Sequence, residues 1–167
     1  MPDKTTVGKT TVGWCGTASR AAELAAFFAR NVGPDYISHA ELQGGRALSP
    51  TEWRPDLVEI LRTEIEIRLA RGTIAVVEEG GLLALAFVTL ADEAAVPFAV
   101  VEDLIVAPET RGRGIGKMML DWIATEARAR GIRRLFLESG INNERAHGFF
   151  EREGFRPTSV VMMRELE

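Results

Sequence analysis

Cysteine is almost missing from this sequence: Cys15 stands alone among 167 residues, so no disulfide can form within the chain. Histidine is nearly as scarce. His39 and His147 are the only two, which argues against a zinc site of the Cys/His type. Tyr36 is the single tyrosine. A basic excess is lacking as well, since the net charge is −4, and no nucleic-acid partner is expected. No apolar run approaches the roughly 18 residues that span a bilayer; the longest, residues 81–91, is about strand length. The first residues, MPDKTTVGKTTVGW, hold no apolar stretch of the roughly 7–15 residues that a signal peptide requires. These absences favour neither export nor membrane attachment, and a cytoplasmic location is expected.

What is present fits one soluble globular domain. The apolar fraction of 46% and the charged fraction of 26% are ordinary for such a domain, and the length suffices for a buried core. Residues 1–167 are therefore expected to fold as a unit. A five-residue repeat, KTTVG, occurs at residues 4–8 and again at 9–13, too short to build a solenoid. Residues 1–11 are expected to be frayed, with a first strand near residues 12–15.

Residues 19–30 have helical spacing, with Leu24, Phe27 and Phe28 three and four apart. Residues 31–48 read as a loop rich in turn formers, among them Gly33, Pro34, Asp35, Gly44 and Gly45. A second helix is expected to start at Ser49 as N-cap, with Pro50 next and Glu52 three residues after the cap. Its stripe of Trp53, Leu57, Leu61, Ile65 and Leu69 reads as core packing, and Gly72 ends it. Two β-like runs, 73–78 and 82–91, meet across Gly80 and Gly81 as a hairpin. A strand over 97–106, a helix over 114–130, a strand over 133–138, a helix over 143–153 and a last strand within 159–166 complete the chain. The hairpin indicates antiparallel pairing in the first half, and the strand–helix–strand units indicate parallel pairing in the second.

The chemistry concentrates in RGRGIG, residues 111–116, which follows the strand VEDLIV and opens a helix. Gly112, Gly114 and Gly116 leave no Cβ between backbone and ligand. The helix's first amides lack carbonyl partners, and its dipole adds about half a positive charge there, a site suited to phosphate oxygens. Arg111, Arg113 and Lys117 add charge at the rim. A P-loop fails at two positions, with Arg111 where its first glycine belongs and Met118 where Ser or Thr belongs. A dinucleotide fingerprint fails as well, because the glycines are spaced G-x-G-x-G and follow a late strand. The pattern R-x-x-G-x-G is what remains.

That pattern in its setting resembles a known family. VEDLIVAPETRGRGIGKMMLDWI is similar to the coenzyme A-binding core of the GNAT superfamily of N-acetyltransferases, and NNERAHGFFEREGF is similar to the helix that follows the next strand there. The motif-bearing likeness covers residues 101–155. It implies an α/β fold: a mixed, mostly antiparallel twisted sheet with a splayed parallel strand pair and helices on both faces. It also implies acetyl-CoA as acyl donor. Main-chain groups of Leu104, Ile105 and Val106 would meet the pantetheine arm. Amides from Gly112 through Gly114, Ile115 and Gly116 to Lys117 would hold the pyrophosphate, and Asn143 would contact the coenzyme.

The resemblance further implies a carboxylate base on the strand before the turn, and Glu102 is the candidate. Alternation along a strand puts Glu102, Leu104 and Val106 on one face, with Asp103 and Ile105 on the other. Only one of the adjacent carboxylates is then expected to face the acceptor. The chain departs from the family pattern N-x-x-A-x-x-F-Y-E-x-x-G-F at Phe150, where a tyrosine would protonate the leaving sulfur. Ser139, His147, water or departure of the bare thiolate are the alternatives. The expected function is acetyl transfer to a primary amine, free or on a peptide or protein, by direct attack in a ternary complex. The alternative is a coenzyme A-binding sensor with little catalysis. Residues 31–48, with Tyr36, His39 and Glu41, are candidates for acceptor contact. Dimers are common in the family, so a homodimer is compatible with the resemblance.

Overall fold

Apolar side chains recur at helical and at alternating spacing along the chain, and the elements follow those periods. The computed structural model describes residues 4–166. In chain order they form β1 (Thr5–Val7), β2 (Thr10–Cys15), α1 (Ala21–Asn31), α2 (His39–Gln43), β3 (Ala47–Ser49), β4 (Glu52–Trp53), α3 (Leu57–Arg71), β5 (Ile74–Glu78), β6 (Leu82–Ala91), β7 (Phe98–Val106), α4 (Ile115–Ala129), β8 (Leu135–Leu137) and α5 (Glu144–Arg152). None of these helices is long and apolar enough to cross a membrane. The chain packs as two compact units: the segment ending at Asn31 with Val58–Glu138, and Val32–Leu57 with the segment from Ser139 onward.

The first unit is a six-stranded sheet of order β1-β2-β5-β6-β7-β8. Its neighbours are antiparallel except for the parallel pair β7 and β8. The α/β class and the parallel pair expected from the sequence are present. Helices cover both faces. Phe28 of α1 packs on Phe87 of β6 with ring centroids 5.8 Å apart. On the opposite face Trp122 of α4 meets Trp14 of β2 at 4.9 Å, and the Trp14 indole donates to Glu126 at 3.0 Å. Leu24, Phe27, Phe28, Leu61, Ile65 and Phe87 are completely buried. Removing each such side chain from water stabilises the fold by about 1.5–3 kcal/mol.

Four local expectations give way. The first KTTVG copy is not frayed over residues 4–8: Gly8 takes φ +66° and turns the repeat into a hairpin, with Thr5 opposite Val12 and Val7 opposite Thr10. Residues 1–3 lie outside the described part. Ser49 does not cap a helix either, because Ala47–Ser49 and Glu52–Trp53 pair as a two-stranded ribbon and α3 begins only at Leu57. The capping box forms at Ser38 instead, whose hydroxyl accepts from the Ala40 amide while Glu41 accepts from the Ser38 amide at 2.8 Å. It opens a short helix inside what reads as loop. Residues 159–166 form no strand, since no neighbouring strand pairs with them.

Candidate functional site

β7 leads into the glycine turn and carries an irregularity on the way. Its pairing with β6 runs in step from Ala84↔Val106 to Phe87↔Asp103, then continues one residue displaced at Val88↔Val101. Glu102 is the extra residue, a β-bulge of the kind that re-aims a side chain. Paired residues share a face, so Asp103 lies on the side of Phe87. Glu102 lies there too, because its carboxylate accepts from Thr89, two residues beyond Phe87 on β6, and from Arg68, which stacks on the Phe87 ring. The strict alternation expected for the two carboxylates is broken. They differ in burial instead: Asp103 is 2% exposed, while the Glu102 side chain keeps 32%.

Arg68 is fixed from three sides. Its Nε donates to Glu64 at 2.9 Å, its Nη2 meets Glu102, and its guanidinium carbon lies 4.7 Å from the centre of the Phe87 ring. The i, i+4 spacing of Glu64 and Arg68 is readable in the sequence. The reach from α3 to β7 depends on tertiary packing and has no sequence signal, and the same holds for Thr89.

The parallel ladder stops at the bulge. β8 pairs with β7 only through Ala99↔Leu135, Val100↔Phe136 and Val101↔Leu137, so Leu104, Ile105 and Val106 lie past its end. The Ala107 amide then bonds to the Leu83 carbonyl at 2.9 Å, and a single 3₁₀ turn, Pro108–Thr110, redirects the chain. The Thr110 hydroxyl ties this turn by donating to the Ala107 carbonyl at 2.8 Å. Gly112 and Gly114 adopt φ +80° and +73°, which a side chain would strain. A Cβ built at either would meet nothing within 4 Å, so the requirement is conformational and the space over the turn is open. Gly114 is the N-cap of α4 and no side chain caps this end, leaving Ile115 and Gly116 in a first turn with its dipole exposed.

The basic residues at the turn differ in their surroundings. Arg113 donates to Glu79 at 2.7 Å, bracing the turn against the β5–β6 hairpin. The Glu79 carboxyl is held below the usual carboxylate range, chiefly by the hydroxyl of Thr10 and then by Arg113. Lys117 pairs with Asp121 one turn along α4, 3.0 Å away. Arg111 is exposed and joins no ion pair among the described residues.

The second unit holds the remaining candidates. Asn143 is the N-cap of α5, and its Oδ1 accepts from the Ala146 amide at 3.3 Å. Phe150 packs against Phe149 and Phe155, with centroids 5.3 and 5.8 Å away. His147 is half-buried on the same helix. Tyr36 lies 6.2 Å from Trp53 ring to ring, and the Trp53 indole donates to the Gly33 carbonyl at 3.2 Å. A Cβ at Gly140 would come within 2.5 Å of the Ile37 carbonyl oxygen, so only glycine allows this close approach. Among the described residues no cluster of His, Cys, Asp and Glu could hold a metal ion.

Comparison with known proteins agrees with this arrangement. Solved structures with the same fold include the aminoglycoside N-acetyltransferase AAC(6')-Iy in complex with CoA, at 12% identity and TM-score 0.67, covering 99% of this chain and 98% of that one. A predicted acetyltransferase with acetyl-CoA from Clostridium acetobutylicum is 18% identical, with TM-score 0.67 over 93% of this chain and 96% of that one. The ribosomal-protein-alanine N-acetyltransferase of Brucella melitensis biovar Abortus 2308 is 18% identical, with TM-score 0.63 over 95% and 99%. Among curated proteins none matches this chain in sequence. The family model for the acetyltransferase (GNAT) family matches residues 39–155, more than two thirds of the sequence. With the glycine turn, the bulged strand and the parallel pair in its frame, the chain belongs to the acetyltransferase (GNAT) family.

Proposed function

We propose that this protein transfers an acetyl group from acetyl-CoA to a primary amine by direct attack in a ternary complex. The observation that carries the reading is the succession along one strand of bulge, ladder end and glycine turn. Past the end of the ladder, main-chain groups of Leu104, Ile105 and Val106 receive the pantetheine arm as a sheet edge receives a peptide. Amides of Gly112, Arg113, Gly114, Ile115, Gly116 and Lys117 hold the pyrophosphate, with Arg111 as an exposed counter-charge. Asn143, whose Oδ1 is committed to capping α5, offers its Nδ2 to the coenzyme. The open space over the two left-handed glycines is consistent with this occupant.

The bound thioester supplies the acyl group. The amine nitrogen attacks its carbonyl carbon, a C–N bond forms, and the C–S bond breaks with its electron pair leaving on sulfur. Glu102 takes the proton the amine must lose, directly or through one water. Arg68 and Thr89 hold the carboxylate oxygens in place for this step. Phe150 has no proton to give, so the thiolate departs bare or is protonated by water, which suits a thiol of pKa about 8.5. The acceptor is an amine, which attacks once neutral. A screen of amines for saturable thiol release from acetyl-CoA tests the proposal.

A second reading, a coenzyme A-binding sensor with little catalysis, is favoured by Phe150 alone. Coenzyme A binding without turnover across the whole panel would select it.

A further inference from the structure

On the near side of the bulge, toward the start of β7, the first unit leaves part of its sheet open. Val100 is the register partner of Thr89 on β6 and of Phe136 on β8, and paired residues share a face. The Thr89 hydroxyl donates to Glu102, so that carboxylate belongs to the same face, and Phe98 follows by alternation. With Val96 and Arg134, the side chains of Phe98, Val100 and Phe136 line an apolar recess of about 420 Å³, and all of them belong to the first unit. Clefts of roughly 300–1,000 Å³ are the size that holds small molecules. Phe98 and Phe136 meet edge to face, centroids 6.1 Å apart, and Phe136 still leaves 41% of its surface exposed. Arg134 is exposed and joins no ion pair among the described residues. It precedes Leu135, the partner of Ala99, and so lies beside Phe98. Phe98 is four residues before Glu102, about 13 Å at the rise of a strand.

We propose that this recess receives the body of the acceptor, and that the acceptor is an amphipathic amine with an anionic group at its far end. The inference rests on amine transfer as proposed above and narrows its substrate class. The occupant is the acceptor because the recess continues along the face that carries Glu102. With its nitrogen at that carboxylate, an aromatic or branched aliphatic body lies over Val100 and Phe136, where its apolar surface leaves water. A carboxylate beyond that body meets Arg134 as a charge-assisted pair. Polyamines and other polycations are disfavoured, since a second ammonium group in the recess would lie between phenyl rings and face a guanidinium of like charge.

Calorimetric titration of the full chain with para-aminoethylbenzoate, phenethylamine and spermidine, with and without coenzyme A, tests this without requiring turnover. The benzoate should bind tightest, phenethylamine next, and spermidine at least about tenfold more weakly than the benzoate. Arg134→Glu should cancel or invert the advantage of the benzoate over phenethylamine. Phe136→Ala should weaken both aromatic amines by about fivefold or more and leave spermidine unchanged. Both positions are exposed, so neither variant removes a core side chain. Spermidine binding as tightly as the benzoate, an order that Arg134→Glu leaves unchanged, or no binding of either aromatic amine would each overturn the subsite. Thiol release from acetyl-CoA in the same samples tests the transfer separately. Binding in the expected order with no thiol released would contradict the transfer and leave the subsite standing.

Discussion

Glu102 and Asp103 are adjacent in sequence and face the same side of the sheet, because the bulge at Glu102 interrupts the alternation of β7. Asp103 is sealed from solvent and Glu102 is not. A carboxylate that is open to solvent on one side and held by a guanidinium and a hydroxyl on the other is oriented without being closed off. That geometry suits a group that receives a proton from a substrate.

Glu102→Gln keeps the size and one acceptor but cannot take a proton. Loss of a positioned base typically costs about 10²–10⁴-fold in rate, so kcat should fall by at least the lower figure while coenzyme A affinity stays within about twofold. Steady-state thiol release paired with a binding titration separates the two. Full activity of the variant at every pH would remove Glu102 from the mechanism.

Arg68→Gln should act through Glu102 and not through the coenzyme. The carboxylate loses the guanidinium that holds one of its oxygens, so kcat should fall by about tenfold or more while coenzyme A affinity stays within about twofold. Arg68→Lys should restore part of the rate. A loss of rate matched by an equal loss of coenzyme A affinity and of melting temperature would mean that Arg68 serves packing alone.

Gly114→Ala forces a side chain into φ +73° at the N-cap of α4, at a cost of roughly 1–2 kcal/mol. Because that strain lies in the turn that receives the pyrophosphate, coenzyme A affinity should fall by about tenfold or more. Calorimetric titration measures it. An unchanged dissociation constant would place the pyrophosphate elsewhere.

The Glu79–Arg113 brace should respond to acid. The carboxyl is lowered in the folded chain by Thr10 and Arg113, so its contribution is complete above the usual glutamate value of about 4.3 and fades as pH falls through the lowered one. The melting temperature of the protein should exceed that of Glu79→Gln near neutrality, and the gap should close in acid. The pair is exposed, so the gap is small. A gap that persists unchanged at low pH contradicts the assignment.

Much of this was legible in the sequence, and the exceptions share a cause. The glycine turn, the helix it opens and the strand before it depend on local rules, so residues 98–131 follow the expected pattern closely. The ribbon at Ala47–Trp53 replaced a helix start because Ser49, Pro50 and Glu52 satisfy capping chemistry and turn chemistry equally, and tertiary pairing decided. The first KTTVG copy forms a polar, exposed edge strand, which has no hydrophobic signature in the sequence. A bulge leaves no mark in a single strand's pattern, since it exists only relative to β6. Hence Glu102 could be named as a candidate, but its orientation beside Asp103 and its hold by Arg68 and Thr89 could not.

The central claim is that the end of the β7–β8 ladder and the glycine turn together receive an acyl-CoA. Calorimetric titration with coenzyme A, with adenosine 3',5'-bisphosphate and with NAD tests it most directly. Saturable single-site binding of coenzyme A is expected, weaker by about tenfold or more for the bisphosphate, which lacks both the arm and the pyrophosphate, and absent for NAD. NAD or the bisphosphate binding as tightly as coenzyme A would contradict it.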